Sequence, residues 1–169
     1  MVTTETRAWE VAAGVPDPEL PMLTLADLGI LSEVEQDGDA VTAWITPTYS
    51  GCPAVAEMAA DVDGRLRAAG FSDVRVRLRL DPPWSTDLIT EDGRRKLAEA
   101  GIAPPHTTAG PGPGLLRLGP TRRAAVAAVT CPNCGSADTE ELSRFGSTAC
   151  KALWRCRDCR EPFDRIKEI

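Results

Sequence analysis

Two cysteine couplets near the C-terminus, Cys131-Pro-Asn-Cys134 and Cys156-Arg-Asp-Cys159, constrain this chain more than any other feature. Two sulfurs separated by two residues can grip one metal ion from a single tight turn. Two such turns complete a tetrahedral thiolate site of the structural zinc kind. The 21 residues between the couplets are enough for a short hairpin, at the upper edge of the usual spacing. Gly135 follows the first couplet and can take the positive φ such a turn favours. Arg160 follows the second, which predicts a less ideal turn. Arg144, Lys151, Arg155, Arg157 and Arg160 are near enough in sequence to offset the charge of a metal–tetrathiolate centre. The competing arrangements are two disulfides or four free thiols.

The remaining sequence sets the context. A chain of 169 residues holds one ordinary domain and a small module. No apolar run approaches the roughly 20 residues needed to cross a bilayer, so no membrane span is expected. The N-terminal segment has neither a basic start nor an apolar stretch of the kind a secretory signal needs. Six cysteines, four of them in couplets, suit a reducing cytoplasm better than a disulfide framework. The first forty residues carry nine acids against one arginine. That balance opposes nucleic-acid binding through the N-terminal region, which would need clustered Lys and Arg against phosphates; a ribbon that grips DNA is ranked low, and no nucleic-acid partner is expected.

A break falls at residues 102–123, where IAPPHTTAGPGPGLLRLGPTRR holds five prolines and four glycines. Such composition prevents regular structure and suits a linker. It divides a domain at 1–101 from a metal-bound module at 124–169. The module is too small to bury much surface, so its metal is expected to supply most of its folding free energy. His106, the only histidine, lies in the linker and is given no role.

In the first domain, Val74, Val76, Leu78 and Leu80 alternate with Arg75, Arg77 and Arg79, a strand pattern with a solvated arginine face. Strands are also expected over about 30–35 and 40–48, joined as a hairpin at Asp37-Gly38-Asp39. Between Thr48 and Val74, the residues Val55, Met58, Ala59, Val62 and Leu66 share one helical face, with Gly70 as the stop. Strand, helix and strand in that order predict a crossover between parallel strands. Short helices near 6–14 and 90–100 complete the α+β fold class: a small α/β sandwich with a hairpin and a βαβ crossover, then a four-cysteine ribbon. Trp9, Trp44 and Trp84 are expected to fill the sandwich core.

Cys52 stands where the second strand turns into the helix, in Thr46-Pro-Thr-Tyr-Ser-Gly51-Cys52-Pro53. Pro53 fits the first helical position, which would put Cys52 at the N-cap, facing unpaired amides that favour thiolate over thiol. Thr46, Thr48 and Ser50 could add hydroxyl hydrogen bonds. A buried cysteine acting as a small apolar filler is the other reading. No histidine neighbours it in sequence, so hydrolase chemistry is not expected. Asp17-Pro18-Glu19 is a second candidate site, its carboxylates placed to bind a metal or orient a partner, or standing simply as surface charges in a turn. Asp27 is read as a structural cap before Leu28-Gly29. Cys150 belongs to neither couplet and is expected either to pack inside the ribbon or to act as an accessory ligand.

Several of these segments together resemble a known family. Val15-Pro-Asp-Pro-Glu-Leu-Pro21, Leu25-Ala-Asp-Leu-Gly-Ile30, Thr48-Tyr-Ser-Gly-Cys-Pro53 and Pro82-Pro-Trp-Ser-Thr-Asp-Leu-Ile-Thr90 are similar to Fe–S cluster assembly domains of the SufT type. Phe145-Gly-Ser-Thr-Ala-Cys-Lys-Ala-Leu-Trp-Arg-Cys156 with Glu161-Pro-Phe-Asp164 resembles the ribbon of one subgroup, the PaaD components of bacterial ring-1,2-phenylacetyl-CoA epoxidases. The resemblance implies an accessory maturation factor rather than an enzyme, acting in aerobic phenylacetate degradation. Its expected cargo is iron or an Fe–S cluster held transiently, and its expected partners are the oxygenase and reductase subunits or other Fe–S assembly proteins. Carried over, Cys52 and Gly51 match the family's cysteine motif, and Asp17 and Glu19 match its acidic one. The ribbon is expected to hold zinc at Cys131, Cys134, Cys156 and Cys159 and to serve in docking. A purely structural component of the oxygenase and an iron-based electron carrier are the alternatives, and a homodimer is left open. Some relatives carry a further cysteine where this chain has Glu168.

Overall fold

The computed structural model describes residues 7–49, 51–106 and 129–168. Ser50, and the part of the expected linker from 107 onward, lie outside the described residues. The chain divides into two compact units between Lys96 and Leu97.

The first unit opens with α1 (Arg7–Ala13), then the hairpin of β1 (Leu31–Asp37) and β2 (Ala40–Ile45). Next come α2 (Val55–Ala68), β3 (Asp73–Leu78), a 3-10 turn at Thr86–Leu88, and α3 (Glu91–Glu99), which runs past the division. The sheet order is β1-β2-β3. β1 and β2 are antiparallel, and β2 and β3 are parallel with Val41 opposite Val74 and Ile45 opposite Leu78. This is the expected hairpin and crossover. The helix α1 packs on β1 and on α2, and α2 packs on β3, so both helices share one face of the sheet. Met58, Val62 and Leu66 of α2 are buried there with Val41, Ala43 and Ile45 of β2. The stop at Gly70 is a Schellman motif, with Phe71 N–H donating to Leu66 O (3.2 Å) and Gly70 N–H to Arg67 O (2.9 Å).

Three expectations about this unit need correction. Only the first half of the β3 apolar face is covered: Val74 is buried, whereas Leu78 is 54% and Leu80 61% exposed. β3 is an edge strand whose pairing to β2 ends at Leu78, so Leu80 lies beyond its last neighbour. Arg79 is not simply solvated. Its guanidinium lies over the Trp44 ring at 5.3 Å and pairs with Glu33 at 2.6 Å, on the sheet face away from the helices. Trp44 therefore belongs to that outer face, Trp9 is half-buried, and only Trp84 is a core residue, its indole N–H donating to Leu28 O (2.8 Å).

The segment before β1 is built by local polar bonds. Thr24 and Asp27 cap each other: Asp27 Oδ2 accepts from Thr24 N–H (2.9 Å) and Thr24 Oγ1 from Asp27 N–H (3.1 Å). Lys96 adds an ion pair to the same carboxylate at 2.8 Å. Burial opposes the charge on Asp27, but the Lys96 ammonium and the Thr24 amide outweigh it and hold the carboxyl below its ordinary pKa. Gly29 takes φ +65°, and a Cβ there would lie 2.6 Å from Leu88, so the turn before Ile30 admits no side chain.

The second unit holds a three-stranded antiparallel sheet of β4 (Thr139–Ser143), β5 (Lys151–Cys156) and β6 (Pro162–Ile166). Residues from the expected linker join it, since Ala103 N–H donates to Asp164 O (2.8 Å) and Ile166 N–H to Ala103 O (3.1 Å). His106 follows, its amide donating to Glu168 Oε1 (3.2 Å). The ribbon core is small: Ala103, Val129, Cys131, Ala152, Trp154, Cys156 and Phe163.

Candidate functional site

The two couplets form two turns of the same design. Cys131 N–H donates to Ser136 O (2.8 Å), and Cys156 N–H to Glu161 O (3.1 Å). The residue after each second cysteine is left-handed, Gly135 at φ +77° and Arg160 at φ +66°. Arg160 thus adopts the conformation that its side chain disfavours. A non-glycine residue there costs roughly 1–2 kcal/mol, and the sheet on either side holds it in place. Arg160→Gly is expected to raise ribbon stability by about 1 kcal/mol, measured as a higher temperature of metal release and unfolding in the full chain.

These turns bring the four sulfurs together. All lie within 4.8 Å of one another, with Cys131 Sγ to Cys159 Sγ at 3.8 Å and Cys134 Sγ to Cys156 Sγ at 3.5 Å. A tetrahedral ion with metal–sulfur bonds of about 2.3 Å sets sulfurs about 3.8 Å apart, so the four thiols fit a metal. Backbone amides point at the sulfurs: Ser136 at Cys134, Cys159 and Asp158 at Cys156, and Glu161 at Cys159. The Cys159 amide, helped by neighbouring groups, draws Cys156 down to about 7. Cys159 is pushed up to about 12: the Glu161 amide favours its thiolate, but desolvation and the other thiols prevail. Four clustered thiols resist ionising together, and a divalent cation among them supplies the charge that lets them do so.

Of the five cations near the couplets in sequence, three adjoin the site. Arg155, Arg157 and Arg160 line a hollow of about 340 Å³ with Cys156. Arg155 and Arg157 both engage Glu140, the latter at 3.0 Å. Lys151 instead is buried and donates to Ser147 Oγ (3.2 Å). Cys150 lies half-buried outside the four-sulfur group, its Sγ 3.1 Å from Thr148 Oγ1.

The candidate residues of the first unit do not form a comparable cluster. Among the described residues, the four cysteines are the one group of three or more side chains placed to share a metal. Cys52 is half-buried and in no disulfide. It is not the helix N-cap: Ala54 is, and Cys52 heads a preceding turn, its carbonyl accepting from Val55 N–H (3.4 Å) and its amide donating to Tyr49 O (3.2 Å). Pro53 and Ala54 form that turn, which displaces Cys52 from the helix end by two residues. Asp17 is buried and used internally, Oδ1 accepting from Glu19 N–H (2.9 Å) and Leu20 N–H (2.8 Å). This is an Asx-type turn, and Glu19 is exposed beside it.

Thr46 and Thr48 contribute to something the residue pattern did not reveal. With Pro47, Tyr49, Leu80, Pro83 and Trp84 they line a mostly apolar pocket of about 280 Å³, and Gly51 lies exposed just beyond in the chain. Its far wall comes from a segment thirty residues later in sequence. The signal that could have found it was the Pro82-Pro-Trp84 run, apolar and rigid yet outside any expected element.

An assembly-type α+β unit followed by a four-cysteine ribbon defines a class of two-module metalloprotein, and comparison with known proteins agrees. Residues 5–78 match the family described as iron-sulfur cluster assembly protein, and residues 118–167 the one described as PaaD zinc beta ribbon domain. An Escherichia coli (strain K12) protein, provisionally named the D component of 1,2-phenylacetyl-CoA epoxidase, is 44% identical over 163 residues, covering 95% of this chain and 91% of its own. A crystal structure of a Bacillus anthracis domain of unknown function (DUF59) is 25% identical, with a TM-score of 0.51, and covers 55% of this chain and 90% of its own. The chain belongs to the PaaD family of phenylacetyl-CoA epoxidase components. Among the described residues, no helix is long and apolar enough to cross a membrane.

Proposed function

We propose that this protein is a cytoplasmic maturation factor for a phenylacetyl-CoA epoxidase, helping to insert iron or an Fe–S cluster into its oxygenase or reductase, and is not itself an enzyme. The observation that carries the reading is the joining, on one chain, of an Fe–S assembly match at 5–78 and a PaaD ribbon match at 118–167. The resident metal is zinc, held by Cys131, Cys134, Cys156 and Cys159 and structural in role, since all four positions are filled by protein thiols and none is left open for chemistry. Cys52, which lies within the residues matched to the Fe–S assembly family, ligates the cargo transiently, with ligands completed by the client. Thr46, Thr48 and Gly51 shape the loop that presents it, while Asp17 and Glu19 fix the turn after α1. The modules we assign are 1–101 and 124–169, with 102–123 connecting them.

That Cys52 belongs, among the described residues, to no group of three metal-capable side chains favours a second reading, a docking component without transfer. Cells lacking this chain separate the two. A maturation role predicts that reductase and oxygenase purified from them are present at normal levels but under-loaded, by several-fold in iron or acid-labile sulfide, and recover activity on chemical reconstitution. Fully loaded components that fail only to associate would point to docking instead.

A further inference from the structure

The loop between β4 and β5 contains the largest exposed apolar side chain of the described residues, Phe145, at 76% exposure. Its neighbours are nearly all used to fix it. Phe145 N–H donates to Ser143 Oγ (3.1 Å), Gly146 N–H to Lys151 O (2.9 Å), and Lys151 N–H to Thr148 O (3.1 Å). Ser147 Oγ donates to Asp164 Oδ2 (3.1 Å) and receives Lys151 Nζ (3.2 Å). A Cβ on Gly146 would meet Asp164 Oδ1 and Lys151 Cβ at 3.1 Å, so the loop closes tightly on β6. These bonds hold the loop, and the Phe145 ring, exposed to solvent, meets only the Lys167 ammonium among the ring contacts of the described residues.

Its surroundings say what it meets. Lys167 Nζ sits 5.1 Å from the ring centre, and Arg144 precedes it in the chain. Among the described residues no carboxylate pairs with either cation. Of the ribbon's other arginines, Arg155 and Arg157 are matched by Glu140 and Arg165 by Glu168, whereas Arg160 sits in the second cysteine turn beside Cys156. An exposed aromatic on a loop whose backbone is fixed, flanked by cations that have no carboxylate partner among the described residues, has the form of an interface hot spot, an anchor at the centre and charges at the rim. We propose that Phe145 docks into an apolar pocket on a partner protein whose rim carries carboxylates that receive Arg144 and Lys167. This rests on the proposed function, in which the partners are epoxidase components, and it identifies the surface they bind.

The test measures binding of the full chain to the purified oxygenase and reductase components separately, by biolayer interferometry at low and high salt. Phe145→Ala is expected to weaken binding to one component by on the order of thirtyfold, with metal content and unfolding temperature unchanged. Arg144→Glu is expected to weaken it mainly at low salt. Wild-type binding that Phe145→Ala leaves intact would overturn the inference alone. Binding to neither component would overturn the proposed function and this inference with it. Phe145-dependent binding to phosphatidylglycerol vesicles in place of protein would show that the cations serve a membrane surface, and would overturn the choice of partner.

Discussion

Replacing Cys131 by serine is expected to empty the four-cysteine site and unfold the ribbon while the first unit stays folded. Structural zinc contributes about 10–16 kcal/mol of binding free energy to small modules at neutral pH, more than a core this size supplies alone. The ribbon core has seven buried members, and two of them, Cys131 and Cys156, belong to the four-sulfur group that would hold the metal. Metal and core are therefore one structure, and losing the first loosens the second. A buried serine adds a hydroxyl that must find a partner. Cys134→Ala separates these effects, because Cys134 is exposed and its removal costs a ligand but no packing. Both variants should lose about one zinc per chain by elemental analysis. Both should gain protease cleavage confined to residues after Leu97, where the second unit begins. A Cys131→Ser ribbon that stays metal-loaded and resistant would show that some other group completes the site.

How much of this was legible beforehand depends on how local the determining forces are. The α2 stripe and its stop at Gly70 were readable because periodicity and a left-handed glycine act within a few residues. The clustering of the four cysteines was readable because couplet spacing by itself brings two sulfurs to one turn. Arg160 defeated the local rule: alone it disfavours a left-handed turn, but paired sulfurs and two flanking strands hold it there. Leu78 and Leu80 defeated alternation, which reports two faces of a strand but not where its neighbour ends. Trp44 was misplaced for a similar reason. Its outer face is closed by Arg79 and Glu33 from neighbouring segments of the sheet, and no single-strand pattern shows that. The pocket beside Thr46 and Thr48 joins segments thirty residues apart. Asp17 shows the reverse case, a residue suspected of metal chemistry whose partners are the amides two and three positions on.

Cys52→Ser is expected to leave the protein folded and zinc-loaded and yet abolish its support of epoxidase activity in cells. The structural half follows from what Cys52 does in the fold. Its backbone bonds, to Tyr49 O and from Val55 N–H, do not involve the sulfur, and the residue is only half-buried. At a half-buried position the new hydroxyl can be met by water, and the expected change in stability is about 1 kcal/mol, the net size of one hydrogen bond. The ribbon thiols belong to the other unit and keep their metal. The functional half follows from ligand chemistry, since a serine hydroxyl stays protonated at neutral pH and is a poor partner for iron or sulfide clusters that thiolates bind well. Loss of a transfer ligand should cut client loading about tenfold or more. The readouts are iron and sulfide in the purified reductase and oxygenase, beside growth on phenylacetate. Cys150→Ser is the matched control, removing another half-buried thiol outside the four-sulfur group without touching the Thr48–Pro53 loop. If Cys52→Ser supports full loading and growth, transfer through this sulfur is wrong, and the protein acts by docking alone.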